Sequence, residues 1–158
     1  MFFIIGSEGF LGKKICSLLP KNKTIKISSK KVKNCIHTKI FKDIKKKSEK
    51  WIKKIKQQDT IVLLSNPGSI NFHENNPKKV LNFEKFLERN FFLKVNRDSN
   101  IIFLSSDMIY SGKKNYYVDN SIDVSLNNYG KSKKRIEEKI RKYFKKHLIL
   151  RLSKIYSQ

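Results

Sequence analysis

The stretch that decides the fold is residues 1–12, which read Met-Phe-Phe-Ile-Ile-Gly-Ser-Glu-Gly-Phe-Leu-Gly. The apolar run at its start predicts a buried strand, and residues 10–19 have the spacing of a helix that Pro20 ends. Glycines at positions 6, 9 and 12 lie at the junction. Backbone amides there, with the positive end of the helix, can bind a diphosphate. The stretch therefore predicts a strand–turn–helix unit with a phosphate-binding turn.

The spacing of these glycines is Gly-x-x-Gly-x-x-Gly, whereas the commoner dinucleotide-binding turn has Gly-x-Gly-x-x-Gly. A P-loop is excluded because five residues separate Gly6 from Gly12 and Lys14 occupies the position of the required Ser or Thr. A purely structural turn remains the alternative, since glycines at this junction also occur in α/β proteins without a ligand.

Short apolar runs alternate with longer segments of helical spacing along the rest of the chain. This alternation predicts an α/β fold, a doubly wound parallel sheet with helices on both faces. The further predicted strands are residues 24–28, a weak strand near 35–38, and residues 60–64, 100–104 and 148–152. The further predicted helices run from residue 41 to about 55, from about 77 to 87, and from 127 to 146, with a loop over residues 65–76.

Length and composition limit the class of protein. The chain has 158 residues, of which 39% are hydrophobic, enough for one compact domain. No apolar run approaches the roughly 20 residues that a membrane-spanning helix needs, so no membrane partner is expected. Cys16 and Cys35 are too few for a disulfide framework and no export signal precedes them. Reduced thiols and a cytoplasmic location are therefore predicted.

The net charge of +23 would fit a polyanionic partner. However, 31 of the 36 basic residues are lysine, whereas specific phosphate and base recognition favours the arginine fork. The chain is also rich in Asn and Ile, as an AT-biased genome would produce without selection for a ligand. Composition therefore favours incidental charge, and nucleic acid is not the expected partner.

The region that would bind the adenosine ribose of a dinucleotide lies roughly 20 residues beyond the glycine turn, where NAD-binding proteins have a carboxylate. Here residues 27–31 read Ile-Ser-Ser-Lys-Lys and contain none. The hydroxyls of Ser28 and Ser29 and the ammonium groups of Lys30 and Lys31 could accommodate a ribose phosphate, so NADP is favoured over NAD. The alternative is that these lysines merely belong to the general lysine excess.

Tyr129 and Lys133 are four residues apart at the start of a predicted helix and so share one face. We expect the ammonium group to lower the pKa of the phenol, which could then exchange protons with a carbonyl or an alcohol. The strand before this helix ends in Ser105-Ser106-Asp107, and a hydroxyl there could bind the same substrate oxygen at the carboxyl edge of the sheet. A second pair, Tyr110 and Lys114, lacks helical spacing.

Other chemically reactive residues give no site. His37, His73, Cys16 and Cys35 lack the spacing of metal ligands, and we expect surface or packing roles for them and no metal. We predict Trp51 in the core, and Asp107 as the cap of a turn.

Taken in order, these motifs resemble the extended short-chain dehydrogenase/reductases, also called the NAD-dependent epimerase/dehydratase family. The resemblance rests on the glycine turn, residues 104–107, Tyr110 with Gly112, and the run Asn-Tyr-Gly-Lys-Ser-Lys at 128–133. Residues 150–156 are similar to the strand after the family's catalytic helix. Within the family, residues 106–138 are most similar to dTDP-4-dehydrorhamnose reductases.

The resemblance implies a Rossmann-fold enzyme that acts on a nucleotide-linked sugar, with NADP favoured and NAD as the second cofactor. Tyr129 is the implied proton donor or acceptor, Lys133 would bind the nicotinamide ribose, and Ser106 would orient the reacting oxygen. The implied cofactor-binding residues are Gly6, Gly9, Phe10, Leu11, Gly12, Ser28, Ser29, Lys30, Leu64 and Ser65, together with Tyr129 and Lys133.

Members of this family normally continue well beyond 158 residues, and the added part supplies most of the sugar-nucleotide pocket. We therefore expect residues 1–158 to form a single NAD(P)-binding domain without that C-terminal part, and a homo-oligomer or a second chain to complete the pocket. Two rival interpretations stay open: a non-catalytic dinucleotide-binding or interaction module, and a basic nucleic-acid-binding protein on the same fold.

Overall fold

The structure is a computed structural model that describes residues 1–39, 49–118, 121 and 125–153. The strands in these residues are β1 (Phe2–Ile5), β2 (Thr24–Ser28), β3 (Ile36–His37), β4 (Thr60–Leu63), β5 (Asn100–Ser106) and β6 (Lys146–Leu152). The α-helices are α1 (Phe10–Leu18), α2 (Ile70–Asn75), α3 (Pro77–Leu87) and α4 (Asn128–Tyr143). Turns of 3-10 helix cover Lys21–Lys23, Ile52–Lys54 and Asp107–Ile109, and a π-helical turn covers Glu88–Phe92.

The strands form one parallel sheet in the order β3-β2-β1-β4-β5-β6. The chain moves outward from β1 to β3 and then crosses to β4 on the other side of β1, so the strand order reverses between β1 and β4. This is the doubly wound Rossmann order, and ligands of such sheets bind beyond the carboxyl ends of the strands at the reversal. The predicted fold class is confirmed.

The central strands are buried on both faces, which is why β1 reads as a continuous apolar run. Ile4 and Ile5 are both fully buried although they point to opposite faces. The larger core lies on the face covered by α3 and α4 and includes Phe3, Phe103 and Ile136. On the opposite face Ile15 and Cys16 of α1, with Leu19 just after its end, pack against Ile4 and Val62. Helices therefore cover both faces, as predicted.

The predicted helix from residue 41 differs from the structure where it can be compared. Residues 40–48 lie outside the described part of the chain, and the described end forms only the 3-10 turn Ile52–Lys54. One such turn suffices to bury Trp51, Ile52 and Ile55 in the larger core. The predicted core position of Trp51 is confirmed. Its indole N–H donates to Glu49 at 2.6 Å, which fixes the start of the turn.

The loop predicted over residues 65–76 contains α2, which the sequence analysis missed. Ser69 begins this helix, and its hydroxyl oxygen accepts a hydrogen bond from the Phe72 amide at 3.3 Å. Asn76 then separates α2 from α3, and Pro77 occupies the first turn of α3 as predicted. Helix α2 packs against α4 and so lies beside the predicted catalytic residues.

Candidate functional site

The glycine turn is held in a conformation that only glycine adopts without strain at its first position. Gly6 has a φ of +94°, and a Cβ there would lie 3.0 Å from the amide nitrogen of Ser65. A Cβ on Gly12 would collide with the carbonyl oxygen of Gly6. Side chains are therefore kept away from both ends of the turn, and a phosphate could approach the backbone closely.

The N-terminus of α1 fits a diphosphate. The first-turn amides of an α-helix have no acceptor within the helix. The N-cap residue, Gly9, supplies no side-chain cap, and the first turn of α1 contains no acidic side chain. The amide ends of the helix are thus presented at the carboxyl edge of β1, with the polarity that an anion needs. This arrangement fits the pyrophosphate of a nicotinamide dinucleotide.

A cavity of about 320 Å³ lies at this edge, between the glycine turn and the ends of β4, β5 and β6. It joins residues that are far apart in the sequence. Of the predicted site residues, those that line it are Gly6, Gly9, Phe10, Leu11, Gly12, Leu64, Ser106, Tyr129 and Lys133. The lining is completed by Asn66, Leu104, Ser105, Leu152 and Ser153.

Helix α2 and the cap of α4 position Tyr129. The side chain of Asn127 caps α4 by accepting a hydrogen bond from the Gly130 amide at 2.7 Å. The carboxylate of Glu74 accepts hydrogen bonds from the backbone and the side chain of Asn128, at 2.7 and 3.0 Å. The ring of His73 packs edge-on against the Tyr129 ring. These contacts fix the helix turn from which the phenol extends.

Lys133 lies one turn further along α4 with its side chain buried. Its ammonium group donates a hydrogen bond to the carbonyl oxygen of Leu104 at 3.0 Å and is 5.6 Å from the centre of the Tyr129 ring. Burial lowers the pKa of Lys133 to about 8, although the nearby carboxylate of Glu137 acts in the opposite direction. The predicted shared face of Tyr129 and Lys133 is present.

The prediction that the Lys133 ammonium group lowers the pKa of the Tyr129 phenol is wrong. Burial raises the pKa of Tyr129, and the carboxylate of Asp107 raises it further. The ammonium group of Lys133 is directed to a backbone carbonyl instead, so burial dominates. Tyr129 therefore remains protonated at neutral pH and can act as an acid.

Ser106, and not Asp107, is the cap at the end of β5. The Ser106 hydroxyl accepts a hydrogen bond from the Met108 amide at 3.2 Å and donates to the carboxylate of Asp107 at 3.1 Å. The prediction that Asp107 caps this turn is therefore wrong, because its side chain accepts from Ser106 and not from the backbone. The Ser106 oxygen faces the same cavity as Tyr129.

A second cavity of about 320 Å³ continues the groove over the end of β2. It shares Gly6, Gly9, Leu64 and Asn66 with the first cavity. The remaining predicted cofactor-binding residues line it, namely Ser28, Ser29, Lys30 and Ser65. Lys31, which was considered with Lys30, is exposed and does not line it. Glu8, which no sequence motif indicated as a ribose-binding residue, also lines this cavity.

The other residues singled out from the sequence form no further site. Within the described ranges, no group of three His, Cys, Asp or Glu side chains could hold a metal ion. Cys16 and Cys35 are free thiols. Tyr110 stacks on Tyr117 and accepts a hydrogen bond from Arg151 at 2.6 Å, and the Lys114 backbone amide donates to the Tyr117 hydroxyl at 3.0 Å. In the part of the chain that the structure describes, no helix has the length and hydropathy to span a membrane.

Comparison with known proteins supports the resemblance seen in the motifs. The protein-family model described as RmlD substrate binding domain matches residues 93–158. A search of curated protein sequences gives no match. The matched segment contains Ser106, Tyr129 and Lys133, so the resemblance seen in the motifs is confirmed in that segment.

Solved structures of similar fold come from the same group of enzymes. The dTDP-4-dehydrorhamnose reductase of Bacillus anthracis in complex with NADP has a TM-score of 0.69 and 16% identity, over 98% of this chain and 54% of that chain. The UDP-glucose 4-epimerase of Brucella ovis in complex with NAD has a TM-score of 0.68 and 16% identity, over 95% and 50%. The UDP-N-acetylglucosamine 4-epimerase of Methanobrevibacter ruminantium, in complex with UDP-N-acetylmuramic acid, has a TM-score of 0.63 and 16% identity, over 95% and 53%. The chain spans about half the length of these proteins.

Proposed function

We propose that this chain is an NADP-preferring, dTDP-4-dehydrorhamnose reductase-like protein of nucleotide-sugar metabolism that reduces a carbonyl group of a nucleotide-linked sugar. The observation that carries the proposal is the groove in which the glycine turn faces Ser106, Tyr129 and Lys133. A glycine turn suited to a phosphate and a partly buried phenol that line one cavity suit a dinucleotide that must bring its reactive ring to the phenol.

The preference for NADP is supported by the second cavity. Lys30 lies there with the hydroxyl-bearing residues Ser28 and Ser29, and its ammonium group can pair with a ribose phosphate. The buried Ser28 hydroxyl accepts a hydrogen bond from the Lys30 amide at 3.0 Å, which holds the backbone of Lys30 at the end of β2. NAD remains the second cofactor in this proposal.

In the proposed reaction, the chain delivers one proton to the carbonyl oxygen of the sugar. When bound, NADPH supplies the hydride that adds to the carbonyl carbon and is thereby oxidised to NADP⁺. Tyr129 donates its phenolic proton to the carbonyl oxygen, which becomes the hydroxyl of the product. Its raised pKa keeps that proton in place until the oxygen becomes basic.

Ser106 and Lys133 assist that proton transfer in the proposal. The Ser106 hydroxyl would turn from the Asp107 carboxylate to the substrate oxygen, while its oxygen keeps the hydrogen bond from the Met108 amide. Lys133 would bind the nicotinamide ribose, and its positive charge would stabilise the phenolate that Tyr129 becomes.

Two measurements test the proposed function. Fluorescence titration with NADPH should give saturable binding, and NADPH should be oxidised in the presence of dTDP-4-dehydrorhamnose or a related keto sugar. Tyr129→Phe should abolish the oxidation and leave the affinity for NADPH within about threefold, because the phenol serves the chemical step. Tyr116→Phe is the matched control, since Tyr116 is 82% exposed and remote from the groove.

The alternatives give different results in the same measurements. A non-catalytic dinucleotide-binding module would bind NADPH without oxidising it. A nucleic-acid-binding protein would bind neither cofactor below millimolar concentration, and its binding to DNA or RNA would survive physiological salt.

The sugar-nucleotide pocket and the cellular location remain parts of the proposal. We propose that a second copy or another chain contributes to the sugar-nucleotide pocket. Native mass spectrometry with and without the nucleotide sugar tests this proposal. A cytoplasmic location is tested by cell fractionation.

A further inference from the structure

The ribose end of the groove contains a carboxylate from an unexpected part of the chain. Glu8 belongs to the glycine turn, and it is among the residues that line the second cavity together with Ser28, Ser29 and Lys30. Glu8 is partly buried, and its Oε1 accepts a hydrogen bond from the thiol of Cys35 at 3.4 Å. The cavity is therefore lined by one acidic residue, Glu8, and one basic residue, Lys30, near the end of β2.

Backbone contacts explain why Glu8 lies there. The amides of Gly6 and Ser7 both donate hydrogen bonds to the carbonyl oxygen of Ile27, at 3.0 and 3.2 Å. The hydroxyl of the buried Ser7 donates to the same oxygen at 3.3 Å. These bonds tie the glycine turn to the last residues of β2. The residue after Ser7 is thereby held beside Ser28, the position from which dinucleotide-binding folds contact the adenosine ribose.

A carboxylate and an ammonium group act on the ribose in opposite ways. A carboxylate accepts hydrogen bonds from the ribose hydroxyls of NAD, and such charge-assisted bonds are stronger than neutral ones. The same carboxylate repels the 2′-phosphate of NADP, which Lys30 attracts. The relative affinity for the two cofactors therefore depends on both side chains.

We propose that Glu8 is the ribose-binding carboxylate of this chain, and that the balance between Glu8 and Lys30 sets its choice between NAD(H) and NADP(H). The inference rests on the proposed function in one respect, that the groove binds a nicotinamide dinucleotide. Glu8 would allow NAD to bind although the end of β2 has no acidic residue.

Cys35 holds the carboxylate in position. Its thiol is 3.4 Å from the Glu8 carboxylate and 3.8 Å from the Ser7 hydroxyl. Cys35 directly precedes β3, so these contacts link the start of β3 to the glycine turn. Burial raises the pKa of the Cys35 thiol, which is therefore protonated at neutral pH and able to donate. Cys35→Ser keeps a donor at this point, whereas Cys35→Ala removes it.

The test is a direct titration of NADH and NADPH, followed by fluorescence, and it requires no substrate. Glu8→Gln should weaken NADH binding about tenfold and tighten NADPH binding, because the amide keeps the size of the side chain and removes its charge. Lys30→Gln should weaken NADPH binding about tenfold with little change for NADH. Glu138→Gln is the matched control, because it removes one negative charge from an exposed position on α4 outside both cavities.

The outcomes separate this inference from the proposed function. Equal changes in the NADH and NADPH affinities of Glu8→Gln, with an unchanged melting temperature, would overturn the inference and leave the proposed function standing. A wild-type chain that binds neither cofactor would overturn both. If Glu8→Gln does not fold, Cys35→Ala replaces it, and a weaker binding of NADH alone, restored in Cys35→Ser, is the supporting result. An unchanged ratio of affinities in Cys35→Ala is the contrary result.

Discussion

The rings of His73 and Tyr129 meet edge to face, with their centres 4.9 Å apart and their planes at 79°. His73 is fully buried in α2, and its Nδ1 lies 2.8 Å from the carbonyl oxygen of Ser69. Since a carbonyl can only accept, Nδ1 bears the proton. Nε2 has no hydrogen-bond partner among the described residues. His73 therefore acts on Tyr129 through packing, and we regard it as a positioning residue.

Replacements of His73 should distinguish packing from hydrogen bonding. His73→Phe keeps an aromatic ring and removes both ring nitrogens. Because loss of the hydrogen bond to Ser69 is offset by removal of the unpartnered Nε2, the free energy of unfolding should change by less than about 1 kcal/mol. His73→Ala leaves a cavity beside the phenol and should cost about 3 kcal/mol. Urea unfolding measures both. Equal losses for the two variants would contradict the packing role.

His73 should also affect the chemical step more than cofactor binding. In His73→Ala the phenol loses its support, so we expect kcat to fall at least tenfold with KM for NADPH nearly unchanged, whereas His73→Phe should retain most of kcat. A fall in cofactor affinity without a fall in kcat would mean that His73 shapes the groove and does not position Tyr129.

Because of Lys133, the free energy of unfolding should vary with pH in the alkaline range. Its pKa is lowered to about 8 in the folded chain, whereas an unfolded chain has a lysine pKa of about 10.4. Between these values the unfolded state binds more protons, so raising the pH favours folding. Relative to Lys133→Met, the wild-type free energy of unfolding should rise by about 3 kcal/mol from pH 8 to pH 10.4 and stay constant below pH 8. A pH-independent difference between the two proteins would show that the ammonium group is well solvated.

The buried ion pair between Glu137 and Arg151 joins α4 to β6. Burial alone would raise the pKa of Glu137. The hydrogen bonds from Arg151 at 2.8 and 3.1 Å, the charge of Arg151 and a hydrogen bond from Arg141 together outweigh burial, so the pKa lies below its usual value. Arg151→Leu should cost about 3 kcal/mol at pH 7, because it leaves a carboxylate with 1% exposure without its main partner.

The stability lost in Arg151→Leu should become smaller at acidic pH. A lowered carboxylate pKa stabilises the fold above the unfolded value near 4.3, and this stabilisation disappears as the pH falls through the folded value. The difference between wild type and Arg151→Leu should therefore narrow below about pH 4. The double variant Glu137→Leu, Arg151→Leu should recover most of the loss at pH 7. Failure of the double variant to recover stability would mean that Arg151 contributes through packing against Tyr110.

The glycine turn gives a prediction for cofactor binding alone. Because a Cβ on Gly12 would collide with the carbonyl oxygen of Gly6, Gly12→Ala must displace the turn from the start of α1. We expect the affinity for NADPH to fall at least tenfold, since the amides that face the pyrophosphate move with the turn. Ser17→Ala is the control, since Ser17 is exposed on α1 and lines neither cavity of the groove. Equal cofactor affinities in the two variants would contradict the predicted role of the turn.

The features that the sequence predicts well are those in which local pattern and burial agree. The apolar run of β1 and the glycines after it predict both the strand and the turn, because the run is buried on both faces and Gly6 requires a positive φ. The spacing of Tyr129 and Lys133 predicts a shared helix face. The strand order then brings these two regions to one sheet edge.

The features that the sequence does not predict depend on contacts between distant residues. Helix α2 has only six residues, too few to show a period, and its place is set by the Ser69 cap and by packing against α4. Glu8 was missed because a search along β2 cannot reveal that Ile27 binds the glycine turn. The raised pKa of Tyr129 was missed because burial is not visible in the Tyr-x-x-x-Lys spacing.

The glycine turn at residues 6–12 and Tyr129 should contact opposite parts of one dinucleotide, the pyrophosphate and the nicotinamide. The most direct measurement is a crystal structure of the chain grown with NADP⁺. We predict the pyrophosphate over the amides at the start of α1 and the nicotinamide ring within hydrogen-bond reach of the Tyr129 hydroxyl. A dinucleotide bound elsewhere, or bound in this groove with its nicotinamide turned away from Tyr129, would contradict it.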